Sequence, residues 1–257
     1  MRHEWMTLFG FTFIFITSVA GAGVVFLFKK SIPQKLNAVF LGVASGVMLA
    51  ASVWSLLLPA IEQAKTTWGA WAIVPSCIGL ALGGISICAI EKILKTRPSS
   101  KNNFFDKSKR LFLAVTLHNI PEGLAVGFAF GFAYAFGDVK SYVTALGLAI
   151  GIGVQNFPEG VALALPLRSS LGSPKKAFYL GVLSGAVEPF FAILGYFLAR
   201  QLQILQPWLL SSAAGAMLFV VAEDLLPDSR LERSPKIGAV GFLIGFIIMM
   251  ALDVILG

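Results

Sequence analysis

His118-Asn119-Ile120-Pro121-Glu122-Gly123 and Gln155-Asn156-Phe157-Pro158-Glu159-Gly160 are one pattern, [HQ]-N-x-P-E-G, written twice in a single chain. Each copy sits in the middle of a long apolar run, so ionisable groups stand where a membrane helix normally carries none. Four residues separate His118 from Glu122, and Gln155 from Glu159. On an α-helix that spacing puts both side chains on one face, about 6 Å apart along the axis. The two copies therefore predict two neighbouring, oppositely directed helices that each present a pair of ligands.

Outward from these motifs the chain reads as polytopic. It has 257 residues, 57% hydrophobic and only 13% charged, against ~25% charged in soluble domains. A crossing helix needs about 20 mostly apolar residues. Eight stretches qualify, near 7–28, 36–61, 69–94, 110–136, 141–167, 176–199, 208–227 and 237–256. They make one transmembrane domain over 1–257 with no soluble domain attached. The short alternating segments of a closed barrel are absent. The apolar run 7–28 is too long for a cleaved signal peptide and reads as a retained helix.

The net charge of +7 does not mark a nucleic-acid binder, because the basic residues lie in short loops between apolar runs. With the N-terminus outside, 16 of the 20 Lys and Arg fall in inner loops, and only Arg2, Lys65, Lys140 and Arg200 fall outside. The positive-inside rule thus predicts both termini outside. The longest inner loop, about 95–109, is polar and has no His. Cys77 and Cys88 form no CxxC pair and read as small packed thiols rather than a redox site.

Depth sharpens the site. Glu122 lies 12 residues beyond Arg110, and Glu188 lies 12 beyond Lys176. His118 lies 8 beyond Arg110; in the reversed fifth span, Glu159 and Gln155 lie 9 and 13 before Arg168. At ~1.5 Å per residue all five sit about 12–20 Å from the inner surface, the middle of a core about 30 Å thick. His118 is then level with Glu159, and Glu122 with Gln155. Three carboxylates at one depth repel one another unless a proton or cation neutralises them. One imidazole, amides and carboxylates form a mixed N/O set suited to Zn²⁺, Fe²⁺, Mn²⁺ or Cd²⁺, with no thiolate to select Cu(I). Gln155, a weak neutral ligand, suits a site that must release its ion.

Pro121 and Pro158 cannot donate to the carbonyls of Leu117 and Val154. Together with Gly123 and Gly160 they predict hinges and close helix approach. Broken helices in two related segments point to a transport site. Glu62 and Asp253, at outer helix ends, are candidates for the entrance, and Glu223 and Asp224, at an inner end, for the exit. Plain interfacial exposure would account for all four equally well. Met48 and Met217 read as core, and His3 as a mobile terminal residue. No HExxH is present, and no Ser or Cys nucleophile stands beside a base in any motif, which argues against an enzyme.

Residues 118–123 and QNFPEGVALALPL from Gln155 resemble the signature helices of the ZIP (Zrt/Irt-like) family of divalent metal transporters, most nearly its prokaryotic, GufA-like branch. GVLSGAVEP from Gly181 and AGAMLFVVAEDLLPDS from Ala214 resemble the neighbouring segments of that family. The resemblance implies an all-α membrane protein with a 3+2+3 helix arrangement and pseudo-two-fold symmetry. It also implies uptake of divalent metal into the cytoplasm across the cell membrane, zinc foremost and often with broad selectivity. A binuclear site is implied. One metal would contact His118, Glu122, Gln155 and Glu159. The other would contact Asn119, Asn156 and Glu188, sharing Glu122 and Glu159. Spans 1, 4, 5 and 6 would move as a unit against 2, 3, 7 and 8, often in a homodimer, with no organic cofactor. Gln155 departs from the His of many animal members, and the usual His-rich inner loop is missing. An efflux protein or channel of the same architecture, and a proton-coupled carrier of organic solutes, are the competing readings.

Overall fold

The computed structural model describes residues 3–28, 33–95, 103–199, 203–230 and 235–256. They contain helices and no strand. In hydrocarbon every backbone N–H and C=O needs an internal partner, which a helix supplies within one segment. In order, the helices are α1 (Glu4–Gly23), α2 (Gln34–Ala51), α3 (Leu58–Trp68), α4 (Ile73–Lys95) and α5 (Asn103–Phe136). Then follow α6 (Val139–Leu171), α7 (Pro174–Leu198), α8 (Gln206–Val220), α9 (Leu226–Ser229) and α10 (Pro235–Leu256). α2 runs into α3, and α8 into α9, through π-helical segments at Ser52–Leu57 and Val221–Leu225.

Seven of the resulting helical spans are long and apolar enough to cross a membrane: Glu4–Leu27, Gln34–Trp71, Leu111–Phe136, Val139–Leu171, Pro174–Leu198, Gln206–Ser229 and Lys236–Ile255. The stretch expected at 69–94 is also helical, over Ile73–Lys95. Gly69 turns the chain at φ +52° and Gly69–Trp71 form a 3-10 turn, so the helix starts only at Ile73. Ile73–Ala89 is its apolar part among the described residues. α5 begins at Asn103 rather than near 110, because a helix can continue into water once its apolar turns are done. The expected loop therefore shrinks to residues that lie mostly outside the described ones.

The packing is inside-out relative to a soluble protein. Leu8, Ile85, Phe190, Phe197, Leu243 and Ile247 are exposed, whereas Asn119, Glu122, Gln155, Asn156 and Glu188 are almost fully buried. Apolar side chains meet lipid and polar ones turn inward. Cys77 and Cys88, expected to be packed, are free thiols on the exposed side of α4; a thiol is apolar enough to sit there. Met48 and Met217 are fully buried, as core positions.

Four helix pairs dominate the contacts: α1 with α6, α5 with α7, α2 with α10, and α4 with α8. Small residues let them approach. A Cβ on Gly46 would lie 2.0 Å from the carbonyl oxygen of Phe242, and one on Gly83 would lie 1.9 Å from that of Ser212. Both contacts are impossible for any larger residue, so these seams require glycine.

The π segments occupy matching places in sequence. Gly46-Val47-Met48-Leu49 precedes one and Gly215-Ala216-Met217-Leu218 precedes the other. Each segment leads into Leu-Leu-Pro, at Leu57-Leu58-Pro59 and Leu225-Leu226-Pro227. A proline ring crowds the carbonyl four residues back and offers it no N–H. A widened turn just before Pro59 and Pro227 relieves that conflict. The backbone irregularity expected at Pro121 and Pro158 is not found there: α5 and α6 run through both prolines as α-helix. The breaks fall instead in the helices that flank the site.

Candidate metal centre

α5, α6 and α7 carry the predicted residues to one buried layer. Asn119 and Glu122 come from α5; Gln155, Asn156 and Glu159 come from α6; Glu188 comes from α7. None is more than 3% exposed. Gly123, next to Glu122, sets the closeness of α5 and α7: a Cβ there would lie 2.3 Å from the carbonyl oxygen of Glu188. Gly160, next to Glu159, does the same between α6 and α1, where a Cβ would lie 2.6 Å from the carbonyl oxygen of Ser18. The Glu-Gly step of each motif thus puts a carboxylate and a backbone-to-backbone seam at the same level.

Hydrogen bonds tie the layer together. Gln155 Nε2 donates to Glu122 Oε1 at 2.7 Å, which confirms that these two residues are level. Asn156 Nδ2 donates both to Glu188 Oε2 and to the carbonyl of Ile14. Ser18 Oγ donates to Glu188 Oε1 at 2.9 Å. Asn119 Nδ2 donates to the carbonyl of Ser184 at 3.2 Å, and Thr116 Oγ1 to Ser184 Oγ at 3.0 Å. Glu188 also faces the charges of Glu122 and Glu159. Backbone and side-chain acceptors on neighbouring residues fix the amide nitrogens, so the amide oxygens point elsewhere. Asn119 Oδ1, Gln155 Oε1 and Asn156 Oδ1 are buried and accept no hydrogen bond. A buried carbonyl without a donor is costly. Oxygens of this kind, in the buried layer that holds Glu122, Glu159 and Glu188, could serve a hard or borderline cation.

The imidazole of His118 lies outside the described residues. Among the described residues no three His, Cys, Asp or Glu side chains are gathered as a metal cluster. Amides interleave the carboxylates here, and one residue in each N-x-P-E-G motif that faces the layer is an Asn.

The candidates for entrance and exit lie elsewhere. Glu62 and Glu223 are exposed, and Asp224 is half-buried in the second π segment. Asp253 is half-buried rather than interfacial: Ser55 Oγ, in the first π segment, donates to Asp253 Oδ1 at 2.6 Å. A Cβ on Gly151 of α6 would lie 3.3 Å from the same oxygen. Ser55 also lines an open cavity of about 350 Å³, together with Gln63, Lys140, Ser141, Thr144 and Gln206. The cavity lies where α5 ends and α6 begins, and Ser55 connects it to Asp253. His3, expected as a mobile terminal residue, makes a tilted ring contact with Tyr142, 5.5 Å between ring centres.

Sequence reading misses Ser18, Ser55 and Ser184. A serine in an apolar helix ordinarily bonds its own helix, as Ser45 and Ser52 do with the carbonyls of Leu41 and Met48. No spacing separates such a serine from one that reaches across to another helix.

Comparison with known proteins gives a consistent picture. A model of the ZIP Zinc transporter family matches residues 108–253, which include both motifs and Glu188. Zinc transporter ZIP11 of Homo sapiens is 32% identical to the chain, over 98% of each. Zinc transporter GufA of Myxococcus xanthus is 32% identical, over 90% of this chain and 91% of its own length. Zinc transporter ZIPB of Bordetella bronchiseptica is also 32% identical, over 89% of this chain and 74% of its own.

Proposed function

This chain belongs to the ZIP family of zinc transporters, and from that premise we propose that the buried layer of α5, α6 and α7 is where it binds the metal it carries. The protein is a multi-pass membrane protein that transports divalent metal ions, zinc foremost. The relatives ZIP11 and GufA are transporters, not enzymes.

The observation that carries the site is the set of three buried amide oxygens without donors, at the level of Glu122, Glu159 and Glu188. Water could donate to them but would leave the carboxylates mutually repelling. A divalent cation does both jobs, as acceptor-side partner and as neutralising charge. His118, Glu122, Gln155 and Glu159 hold one ion; Asn119, Asn156 and Glu188 hold a second, sharing Glu122 and Glu159. Iron, manganese and cadmium are further substrates of a site this mixed. No organic cofactor takes part.

Transport runs into the cytoplasm by alternating access. The metal enters through the cavity lined by Ser55, past Asp253 and Glu62, and leaves past Glu223 and Asp224. The chain forms one domain, 1–257, of eight spans in a 3+2+3 arrangement, with α4 completing the set and both termini outside. The paired contacts support pseudo-two-fold symmetry: α1 with α6 corresponds to α7 with α5, and α2 with α10 to α8 with α4. The two π segments before Pro59 and Pro227 correspond in the same way. The unit of α1, α5, α6 and α7 moves against the rest. The hinges are the π segments before Pro59 and Pro227, since Pro121–Gly123 and Pro158–Gly160 lie in regular helix, and two copies pair as a homodimer in the cell membrane.

The test is uptake of radioactive zinc by proteoliposomes or cells that hold equal amounts of wild type and a Glu122→Ala, Glu159→Ala double variant. Uptake should fall to background. Near-normal uptake by the double variant would refute the site, and lowered accumulation by the wild type would refute inward transport.

A further inference from the structure

The helices that carry the motifs do not complete the site. Glu188 has both carboxylate oxygens engaged, Oε2 by Asn156 and Oε1 by Ser18 of α1. Ser18 has a single hydroxyl proton and two acceptors in reach, Glu188 Oε1 at 2.9 Å and the carbonyl of Ile14 at 3.3 Å. The carboxyl oxygen is the nearer acceptor, so the proton goes to it. The carbonyl of Ile14 is meanwhile served by Asn156 Nδ2 at 3.2 Å. One turn of α1 therefore grips both Asn156 and Glu188, on two different helices.

The grip is built into the packing. Ser18 is 6% exposed. A Cβ on Gly185 of α7 would lie 2.7 Å from Ser18 Cβ, and a Cβ on Gly160 of α6 would lie 2.6 Å from Ser18 O. Glycines on both neighbours leave a slot that a small side chain fills, so the hydroxyl has little freedom to turn away. Alanine would fit the slot and lack only the donor.

We propose that Ser18 is a positioning residue for metal binding, holding the Glu188 carboxylate at the orientation in which it meets the ion alongside Asn156. The inference rests on the reading of Glu188 as a metal ligand. Ser18 binds no metal itself. It fixes one carboxylate oxygen, so that the ion meets a preset ligand instead of having to order one.

The experiment measures equilibrium zinc affinity of the purified full-length protein for wild type, Ser18→Ala, Glu188→Gln and the double variant, with melting temperature alongside. Loss of a hydrogen bond to a charged group predicts an affinity about tenfold weaker in Ser18→Ala, at a nearly unchanged melting temperature. In the Glu188→Gln background the same change should have little further effect, since Ser18 acts through Glu188. Wild-type affinity in Ser18→Ala, or an effect that adds in full to that of Glu188→Gln, overturns the proposal. Should Ser18→Ala fail to fold, Ser18→Gly likewise lacks the donor and adds no zinc ligand, and wild-type affinity in that variant overturns it equally. If Glu188→Gln itself binds zinc like the wild type, the ligand role of Glu188 fails first. If Glu188→Gln is impaired and Ser18→Ala is silent, only the positioning role fails.

Discussion

Replacing Gln155 by methionine separates two roles that one amide combines. Gln155 Nε2 donates to Glu122 Oε1 at 2.7 Å, while Gln155 Oε1 is buried without a donor. Methionine has nearly the same length and volume but neither polar atom, so packing is largely kept. The lost N–H bond to a buried carboxylate costs about 1.5–3 kcal/mol of stability in the metal-free protein. The effect on zinc depends on what the amide does when the ion arrives. If it only braces the empty site, it competes with metal, and its loss tightens binding by up to that amount. If Oε1 is a ligand, the amide can keep its N–H on Glu122 and add its oxygen to the ion, so both contacts are lost on substitution. The second case is expected here, because Oε1 and Nε2 lie at opposite edges of one planar group and do not exclude each other. At 1.4 kcal/mol per decade the zinc KM of Gln155→Met should rise about 10- to 150-fold. The assay is concentration-dependent zinc uptake in proteoliposomes, with thermal unfolding in detergent beside it. A lower melting temperature with a lower KM would show the amide to be a competitor and refute the ligand assignment. No change in either would refute the contact itself.

Other outcomes follow from the same geometry. Gly123→Ala must push α5 from α7, because its Cβ would lie 2.3 Å from the carbonyl oxygen of Glu188; overpacking of this kind costs about 1–3 kcal/mol, read as a lower melting temperature together with impaired zinc uptake. Ser55→Ala removes the donor to Asp253 Oδ1 and Asp253→Asn removes the charge; each should raise the KM for zinc with the maximal rate largely kept, measured as uptake at low against saturating zinc. Asp138 caps α6, accepting from Ser141 N at 2.9 Å and Ser141 Oγ at 2.6 Å. The Ser141 side chain, then its backbone, hold the Asp138 carboxyl below its ordinary value. Its contribution to stability is thus present above the unfolded-state value, near 3.8, and is lost as pH falls through the lower folded-state value; melting curves of wild type and Asp138→Ala should differ at neutral pH and converge in acid.

Much of this was legible in the sequence because membrane chemistry leaves few choices. A Glu in the middle of an apolar run must face the interior, so Glu122, Glu159 and Glu188 announce both their burial and their common depth. The counts from Arg110 and Arg168 put Glu122 level with Gln155, and the 2.7 Å bond between them bears this out. Serine carries no comparable signal. Ser18 and Ser55 bond across helices while Ser45 and Ser52 bond within their own. Which of these happens depends on what stands opposite, and that is a property of the assembled fold. The backbone breaks were misplaced for a related reason. The motif prolines alone predict a break, yet α5 and α6 stay helical through Pro121 and Pro158, whereas the helices before Pro59 and Pro227 widen into π turns.

That displacement alters how the two halves of the molecule divide their labour. The helices that hold the carboxylates are regular, and glycine seams at Gly123 and Gly160 lock them to α7 and α1. A rigid block of this kind keeps the ligands in register with one another. The irregular backbone lies in the flanking helices, and it carries Ser55 in one π segment and Glu223 and Asp224 in the other. A π turn is a residue inserted into an α-helix, and it shifts the face presented by everything beyond it. Deleting Val53 should therefore restore α-helical register and swing Ser55 away from Asp253. The buried layer, built wholly on other helices, should stay intact. The expected result is retained equilibrium zinc binding by the purified variant with impaired uptake. Equal loss of binding and uptake would show that the π segment supports the site itself, and would overturn the division between a rigid ligand block and irregular flanking helices.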